Sequence, residues 1–264
     1  MDRFRFVSPP FTRELRIEQR FPADFMESAV ETLREAVEAR QSAALVSPAG
    51  TGKTVALRAL VGMLPEARYR VVYLKLADLG ARDMCRQLAL GLGLPALGSY
   101  PSLVRSLEER LQSGIAQQGL RQVIIFDDAH EMRTEALRLV RLLTNYEMDS
   151  KLVVSIILSG QMPLKKILMS SELEDVRQRL MASAELRLLS REETQAYIAH
   201  RVKLAGASKS PFAAGAADAL FEITQGNMRA IDKMALGALQ ATDRAGRDVV
   251  SASDIAQARA TLWM

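Results

Sequence analysis

The run Ser47-Pro48-Ala49-Gly50-Thr51-Gly52-Lys53-Thr54 has residue types and spacing that suit phosphate chemistry. Glycines at 50 and 52 let backbone N–H groups curl around an anion with no Cβ in the way. A helix predicted from Thr54 would point its positive end at the same anion. Lys53 is placed to reach β- and γ-phosphates, and the Thr54 hydroxyl to meet Mg²⁺. The segment from Ser47 through Val55 therefore reads as a triphosphate cradle for ATP with Mg²⁺. Its first position, glycine in the usual pattern, is serine here. The close approach rests on Gly50 and Gly52.

A second group of candidates ends an apolar run, Val123-Ile124-Ile125-Phe126-Asp127-Asp128. Asp127 is expected to hold Mg²⁺ through its water shell. Asp128 stands where a second acid would polarise an attacking water; the plainer alternative is a helix cap for the turn beginning near Glu131. Ser159 and Gln161 follow another apolar run, where a polar side chain could touch a γ-phosphate or simply make a turn. Arg177 and Arg179 lie in a stretch with helical spacing from Ser171 to Met181. They suit either transition-state charge or a solvated helix face paired with Glu172, Glu174 or Asp175. Arg229 opens a later helix through Gly226-Asn227-Met228-Arg229 and could reach over a nucleotide.

The elements that must position these residues follow from hydrophobic period. Strands are predicted at Ala43–Val46, Arg70–Leu76, Val123–Phe126 and Leu152–Leu158, with a fifth at Glu185–Leu189. Helices are predicted at Ala23–Arg40, Thr54–Leu64, Ala81–Leu92, Ser102–Gln117 and Thr134–Tyr146. Short apolar strands alternating with amphipathic helices imply an α/β fold, a parallel sheet covered on both faces, with ligand loops along one edge. After Leu189 the strands stop. Ser190 and Glu193 form a capping-box signature, and helices are expected at Pro211–Thr224, Met228–Thr242 and Ser253–Trp263. The domains expected are thus 1–189, a nucleotide-binding αβα unit with an N-terminal arm, and 190–264, an all-helical lid.

Composition narrows the classes. Of 264 residues, 48% are hydrophobic and 25% charged, the balance of a globular protein. The net charge of +4 permits a nucleic-acid partner without requiring one. The single cysteine, Cys85, excludes an intrachain disulfide and sits on a helical apolar stripe. His130 and His200 lack metal-site spacing. No apolar run reaches membrane-spanning length, so a cytoplasmic protein is expected.

Taken in order, these motifs, together with Ile-Ile-Leu-Ser-Gly-Gln, Arg-Gln-Arg-Leu, Leu-Ser-Arg-Glu-Glu-Thr-Gln-Ala-Tyr-Ile and Gly-Asn-Met-Arg, resemble an AAA+ ATPase. Within that superfamily the chain is similar to the branch holding ExeA-like ATPases and the transposition regulators TnsC, TniB and MuB. Phe11-Thr12-Arg13-Glu14-Leu15 and Asn145-Tyr146-Glu147-Met148-Asp149-Ser150 share in the resemblance. It implies a P-loop three-layer core with a five-stranded parallel sheet, a helical lid, and ATP held at a subunit interface by Walker A and Walker B motifs. It implies that Arg179, in preference to Arg177, acts on a neighbour's nucleotide, and that Arg229 senses the nucleotide from the lid. It also implies assembly into rings or helical filaments.

The transposition members wrap duplex DNA and recruit a transposase. A DNA-binding transposition helper is therefore the leading expectation, with sequence-nonspecific phosphate contacts from Lys75, Arg82, Arg86, Lys165 and Lys166. An ExeA-like ATPase acting on a protein partner without DNA is the alternative. The ExeA relative carries a membrane segment and a further domain, neither of which is found before Met264, and this favours the first expectation. The departures from the family pattern are Ser47 and Asp128, the latter glutamate in most relatives. A carboxylate one methylene shorter predicts slow or partner-stimulated hydrolysis, since about 1 Å of misplacement costs on the order of 100-fold in rate.

Overall fold

The computed structural model describes residues 2–75, 78–146, 152–207 and 209–261. The chain forms two compact units, one of residues 25–48 and 56–186, the other of residues 1–24, 49–55 and 187–264.

The first unit is an α/β P-loop fold. Its strands are β1 (Ser42–Ser47), β2 (Tyr69–Lys75), β3 (Arg121–Asp127), β4 (Val154–Gln161) and β5 (Leu180–Glu185), in the sheet order β2-β3-β4-β1-β5. Every pairing is parallel, with Lys75 opposite Asp127, Phe126 opposite Leu158, and Ser47 opposite Gln161. Parallel strands share a direction, so Ser47, Lys75, Asp127 and Gln161 all end at one sheet edge. The central strands β1 and β3 are buried almost throughout and β4 is buried up to Gly160, as a sheet covered on both faces requires.

Helix α1 (Asp24–Glu38) leads into β1, and α2 (Lys53–Met63), α3 (Ala81–Gly91), α4 (Tyr100–Gln118), α5 (Thr134–Leu137), α6 (Leu139–Thr144), α7 (Met162–Leu168) and α8 (Glu174–Arg177) connect the strands. Met84 and Leu88 of α3, Leu103 and Leu107 of α4, and Val140 and Leu143 of α6 close over Ile124, Phe126, Ile156 and Leu158 in one apolar cluster. Cys85 belongs to this cluster; burial pushes its thiol up to about 12, which makes it an inert packing group.

The second unit gathers α9 (Arg191–Leu204), α10 (Ala216–Thr224), α11 (Met228–Arg244) and α12 (Ala252–Thr261). The helical lid expected from the sequence is present. The capping box at Ser190 forms as read, the Ser190 side chain accepting from the Glu193 N–H and the Glu193 side chain from the Ser190 N–H. The first 24 residues, expected with the nucleotide-binding domain, group with these helices instead. They are held by polar staples: Arg201 donates to the Thr12 carbonyl at 2.5 Å and to Asp232 at 3.3 Å, and His200 bonds the Gln19 carbonyl at 3.0 Å.

Four expectations are corrected. The fifth strand is Leu180–Glu185, not Glu185–Leu189. Its sequence, Leu-Met-Ala-Ser-Ala-Glu, has no β-branched residue, and it is an edge strand with Met181 exposed, so its strand signal is weak. The Ser171–Met181 helix is one turn of 3₁₀, Ser171–Leu173, followed by α8; Arg179 lies in the turn before β5 and Met181 in β5. The Thr134–Tyr146 helix is broken into α5 and α6 around Arg138. Pro211–Gly215 is not helical: Phe212 bridges Val250, and α10 starts only at Ala216. Leu76, Glu147 to Ser150, Leu262 and Trp263, which other expectations covered, lie outside the described residues.

Candidate functional site

The loop between β1 and α2 has the backbone shape that its glycines predict. Gly50 and Gly52 both lie in the left-handed region, at φ +80° and +89°. Lys53 begins α2 and is half-buried, while Thr54 is exposed. The centre of the loop belongs to the same compact unit as α11. The Asn227 side-chain Nδ2 donates to the Ala49 carbonyl at 2.7 Å, and the Arg229 backbone N–H donates to the Gly50 carbonyl at 3.2 Å. A β-carbon at Gly50 would overlap the Asn227 amide. So Arg229, expected to act through its guanidinium, meets the loop through its main chain, and its side chain is exposed.

The carboxyl edge of the sheet holds the acids. Asp127 is 2% exposed and accepts hydrogen bonds from the Tyr73 hydroxyl at 2.8 Å, the Ser159 hydroxyl at 3.0 Å and the Asp128 N–H at 2.9 Å. Burial, and then the bond to Asp127, push the Tyr73 phenol above its ordinary value, so it remains a donor. Ser159 lies within β4 rather than after it, and its hydroxyl is directed at Asp127. Gln161 ends β4 and is half-buried.

Asp128 takes up a left-handed conformation, φ 56° and ψ 33°, which aspartate tolerates better than most residues. Its side chain does not cap the 3₁₀ turn Ala129–Glu131 that follows, contrary to the plainer reading. It faces the Lys75 ammonium at 3.4 Å instead. The turn is packed tightly against β4: a β-carbon at Gly160 would lie 3.1 Å from the His130 backbone nitrogen and 2.8 Å from the Leu164 side chain. At the end of β1 the Ser47 hydroxyl is fully buried with no hydrogen-bond partner among the described residues.

The arginine and lysine candidates are placed as follows. Arg177 pairs with Glu174 at 3.7 Å and touches the Met169 sulfur, the plain helix-face reading with i,i+3 spacing. Arg179 is half-buried, its N–H bonded to the Val176 carbonyl. Of the residues expected on DNA, Lys75 pairs with Asp128, Arg82 donates to the Gly98 carbonyl at 3.1 Å, Arg86 pairs with Asp83 at 3.5 Å, and Lys165 pairs with Glu185 at 2.9 Å. Lys166 is exposed. Two contributors had no role in the sequence reading. Asn227 was visible only as a residue type suited to a helix cap. Tyr73 was visible only as a strand aromatic next to the strand of acids.

The residues present fit an Mg-nucleotide. A left-handed glycine loop running into a helix supplies N–H donors for phosphates. A buried carboxylate at the sheet edge suits a magnesium ion that keeps much of its water shell. The orphaned Ser47 hydroxyl, at the mouth of the loop, leaves one polar atom available there.

Comparisons with known proteins agree with the geometry. Residues 35–168 match the AAA domain family. General secretion pathway protein A of Aeromonas hydrophila is 29% identical over 216 residues, covering 81% of this chain and 39% of that protein; the chain thus spans about two-fifths of that relative's length. Among solved structures, Cdc6p of Pyrobaculum aerophilum superposes with a TM-score of 0.72 at 18% identity, covering 94% of this chain and 69% of that one. The Aeropyrum pernix ORC1 protein, solved in complex with DNA, gives 0.72 at 16% identity, covering 97% and 69%. The RuvB branch-migration motor of Thermotoga maritima gives 0.58 at 16% identity, covering 90% and 67%. At such identities these structures share the fold.

Proposed function

We propose, from the premise that this chain belongs to the AAA domain family, that it is an ATP-hydrolysing module that self-associates and acts on a protein partner. Bound Mg-ATP supplies a phosphoanhydride bond whose cleavage changes the charge at the loop. Gly50, Thr51, Gly52 and Val55 would cradle the phosphates with backbone N–H groups beside Ser47, Pro48 and Ala49. Lys53 would neutralise phosphate charge, and Thr54 and Asp127 would hold the metal. Tyr73 and Ser159 fix the Asp127 carboxylate by donating to it, so that it is oriented before the metal arrives. Asp128 would orient the attacking water, and Arg179 would be supplied to a neighbour's nucleotide.

The observation that carries the choice of partner is the similarity to general secretion pathway protein A over 81% of this chain. It supports an ATPase working on protein rather than the transposition helper that led the sequence reading. Four of the five basic candidates argue the same way, since Lys75, Arg82, Arg86 and Lys165 have partners within the chain. Fluorescence anisotropy with random-sequence duplex at low salt, with and without Mg-ATP, separates the two readings. Binding is expected to be weak and indifferent to ATP. Saturable, ATP-dependent, salt-sensitive binding would restore the DNA reading. Mixing Arg179→Ala chains with Lys53→Ala chains tests self-association: each is expected to be inactive alone, and the mixture to recover ATPase activity. No recovery would remove Arg179 from the shared site.

A further inference from the structure

We infer that Asn227 is a positioning residue whose side-chain amide fixes the peptide orientation of the phosphate loop and so couples nucleotide affinity to the seating of α11. The inference rests on the reading of this loop as an ATP site and adds a residue to it.

The amide has two ends with two tasks. Its Oδ1 accepts from the Ala230 N–H at 3.1 Å, which caps α11, and its Nδ2 donates to the Ala49 carbonyl at 2.7 Å. The assignment of oxygen and nitrogen follows from chemistry. Reversed, the amide would set oxygen against a carbonyl and NH₂ against an N–H. Two residues on, the Arg229 N–H donates to the Gly50 carbonyl. That N–H belongs to the first turn of α11, where backbone donors have no intrahelical acceptor. The start of the helix and the loop thus satisfy each other.

The consequence for the loop follows from peptide planarity. In a trans peptide the carbonyl and the N–H of one unit point opposite ways. Holding the Ala49 and Gly50 carbonyls towards α11 therefore turns the Gly50 and Thr51 N–H groups to the far face of the loop. Those are donors a phosphate needs. Gly50 is required twice over, by its φ of +80° and because a β-carbon there would overlap the Asn227 amide. Asn227 is itself held in place. The Leu189 N–H donates to the Gly226 carbonyl at 3.0 Å, and Gly226, at φ +75°, lies so close to the Leu189 backbone that a β-carbon would collide with it. A shift of the segment before α9 would thus move Gly226, Asn227 and the loop carbonyls together.

Two substitutions separate capping from loop positioning in the full-length chain. Asn227→Asp keeps an oxygen cap of equal quality but replaces the donor to Ala49 with an acceptor. Asn227→Ser keeps a cap and is too short to reach. Mg-ATP affinity is measured by calorimetry, melting temperature without nucleotide, and KM and kcat from steady-state hydrolysis. Both variants are expected to melt as the wild type does, to bind Mg-ATP about tenfold more weakly or worse, and to show the loss in KM more than in kcat. Wild-type affinity in both variants overturns the inference. So does a large fall in melting temperature with no selective loss of affinity, which would make Asn227 a structural cap alone. A wild-type chain that fails to bind Mg-ATP overturns the ATP reading itself, and this inference with it.

Discussion

The two compact units are held together by different physics. In the sheet unit, Ile124, Ile125, Phe126, Ile156, Ile157 and Leu158 are all fully buried, and the polar side chains of its central strands gather mainly at strand ends. In the helical unit the N-terminal arm is attached through buried polar groups. Arg201 is 3% exposed, yet it bonds the Tyr197 hydroxyl, Asp232 and the Thr12 carbonyl and lies over the Phe11 ring at 5.7 Å. The Phe21 ring meets both Tyr197 and His200 edge-on. Apolar burial is non-directional and tolerates small errors of geometry, whereas a buried ion pair must be kept whole. The sheet therefore serves as a rigid base for Asp127, and the helical unit depends on a few specific contacts.

The sharpest way to break this contrast is to damage each unit at its centre. Phe126→Ala removes the largest fully buried side chain of the sheet core and is expected to cost about 4 kcal/mol. Hydrogen-exchange mass spectrometry should find the loss of protection in peptides from β1, β3 and β4. Arg201→Ala leaves Asp232 buried without its cation and should cost roughly 3–5 kcal/mol, confined to peptides of the arm, α9 and α11. If Arg201→Ala left the arm as protected as before, the polar staple would be incidental and the contrast would fail.

The same contrast sets what the sequence could reveal. Apolar period and the glycine-lysine-threonine loop are local signals, and β1 to β4, the loop and the acidic strand end are all legible from them. The β5 edge strand was misplaced because Leu-Met-Ala-Ser-Ala-Glu carries little strand propensity and one of its faces is open to solvent. The grouping of the arm with the helical unit is not legible for a related reason. Its aromatics announce packing but not a partner, and the Arg201–Thr12 contact joins positions 189 apart. Asn227 is the sharpest instance. Its type and its place before a helix predict a cap, which it is, but nothing local predicts that its other end bonds a carbonyl 178 residues away. Lys75, expected on DNA phosphates, shows the same limit: nothing local gives the register that sets it beside Asp127 and within reach of Asp128.

A smaller effect tests the helical unit through pH. Burial pushes the Asp232 carboxyl up to about 6, against the opposing pull of Arg201, the Tyr197 hydroxyl and Arg13. A folded value above the unfolded one means the folded state holds the proton more tightly. Its contribution is fully present below the ordinary value of 3.8 and is lost as pH rises through about 6. The gap corresponds to roughly 3 kcal/mol at most. Relative to Asp232→Asn, the wild type should therefore gain stability between pH 7 and pH 4 in urea unfolding monitored in the helical unit. Parallel pH profiles for the two proteins would show that Asp232 does not titrate in this window.

The smallest expected stability change bears on the sheet unit and its acids. Tyr73 is partly exposed and donates one hydrogen bond to Asp127, so Tyr73→Phe should cost only about 1 kcal/mol. Its effect on magnesium should be larger than its effect on folding. Without the phenol, Asp127 keeps the Ser159 hydroxyl and the Asp128 N–H as donors, but one carboxylate oxygen loses its Tyr73 restraint. Loss of such an outer partner typically costs about 10- to 100-fold in metal affinity or activity. The expected outcome is a higher magnesium requirement for ATP hydrolysis at nearly unchanged melting temperature. A Tyr73→Phe chain with an unaltered magnesium titration would mean that Asp127 is oriented without the phenol. The rigid base would then extend to the acid without help from the edge strand.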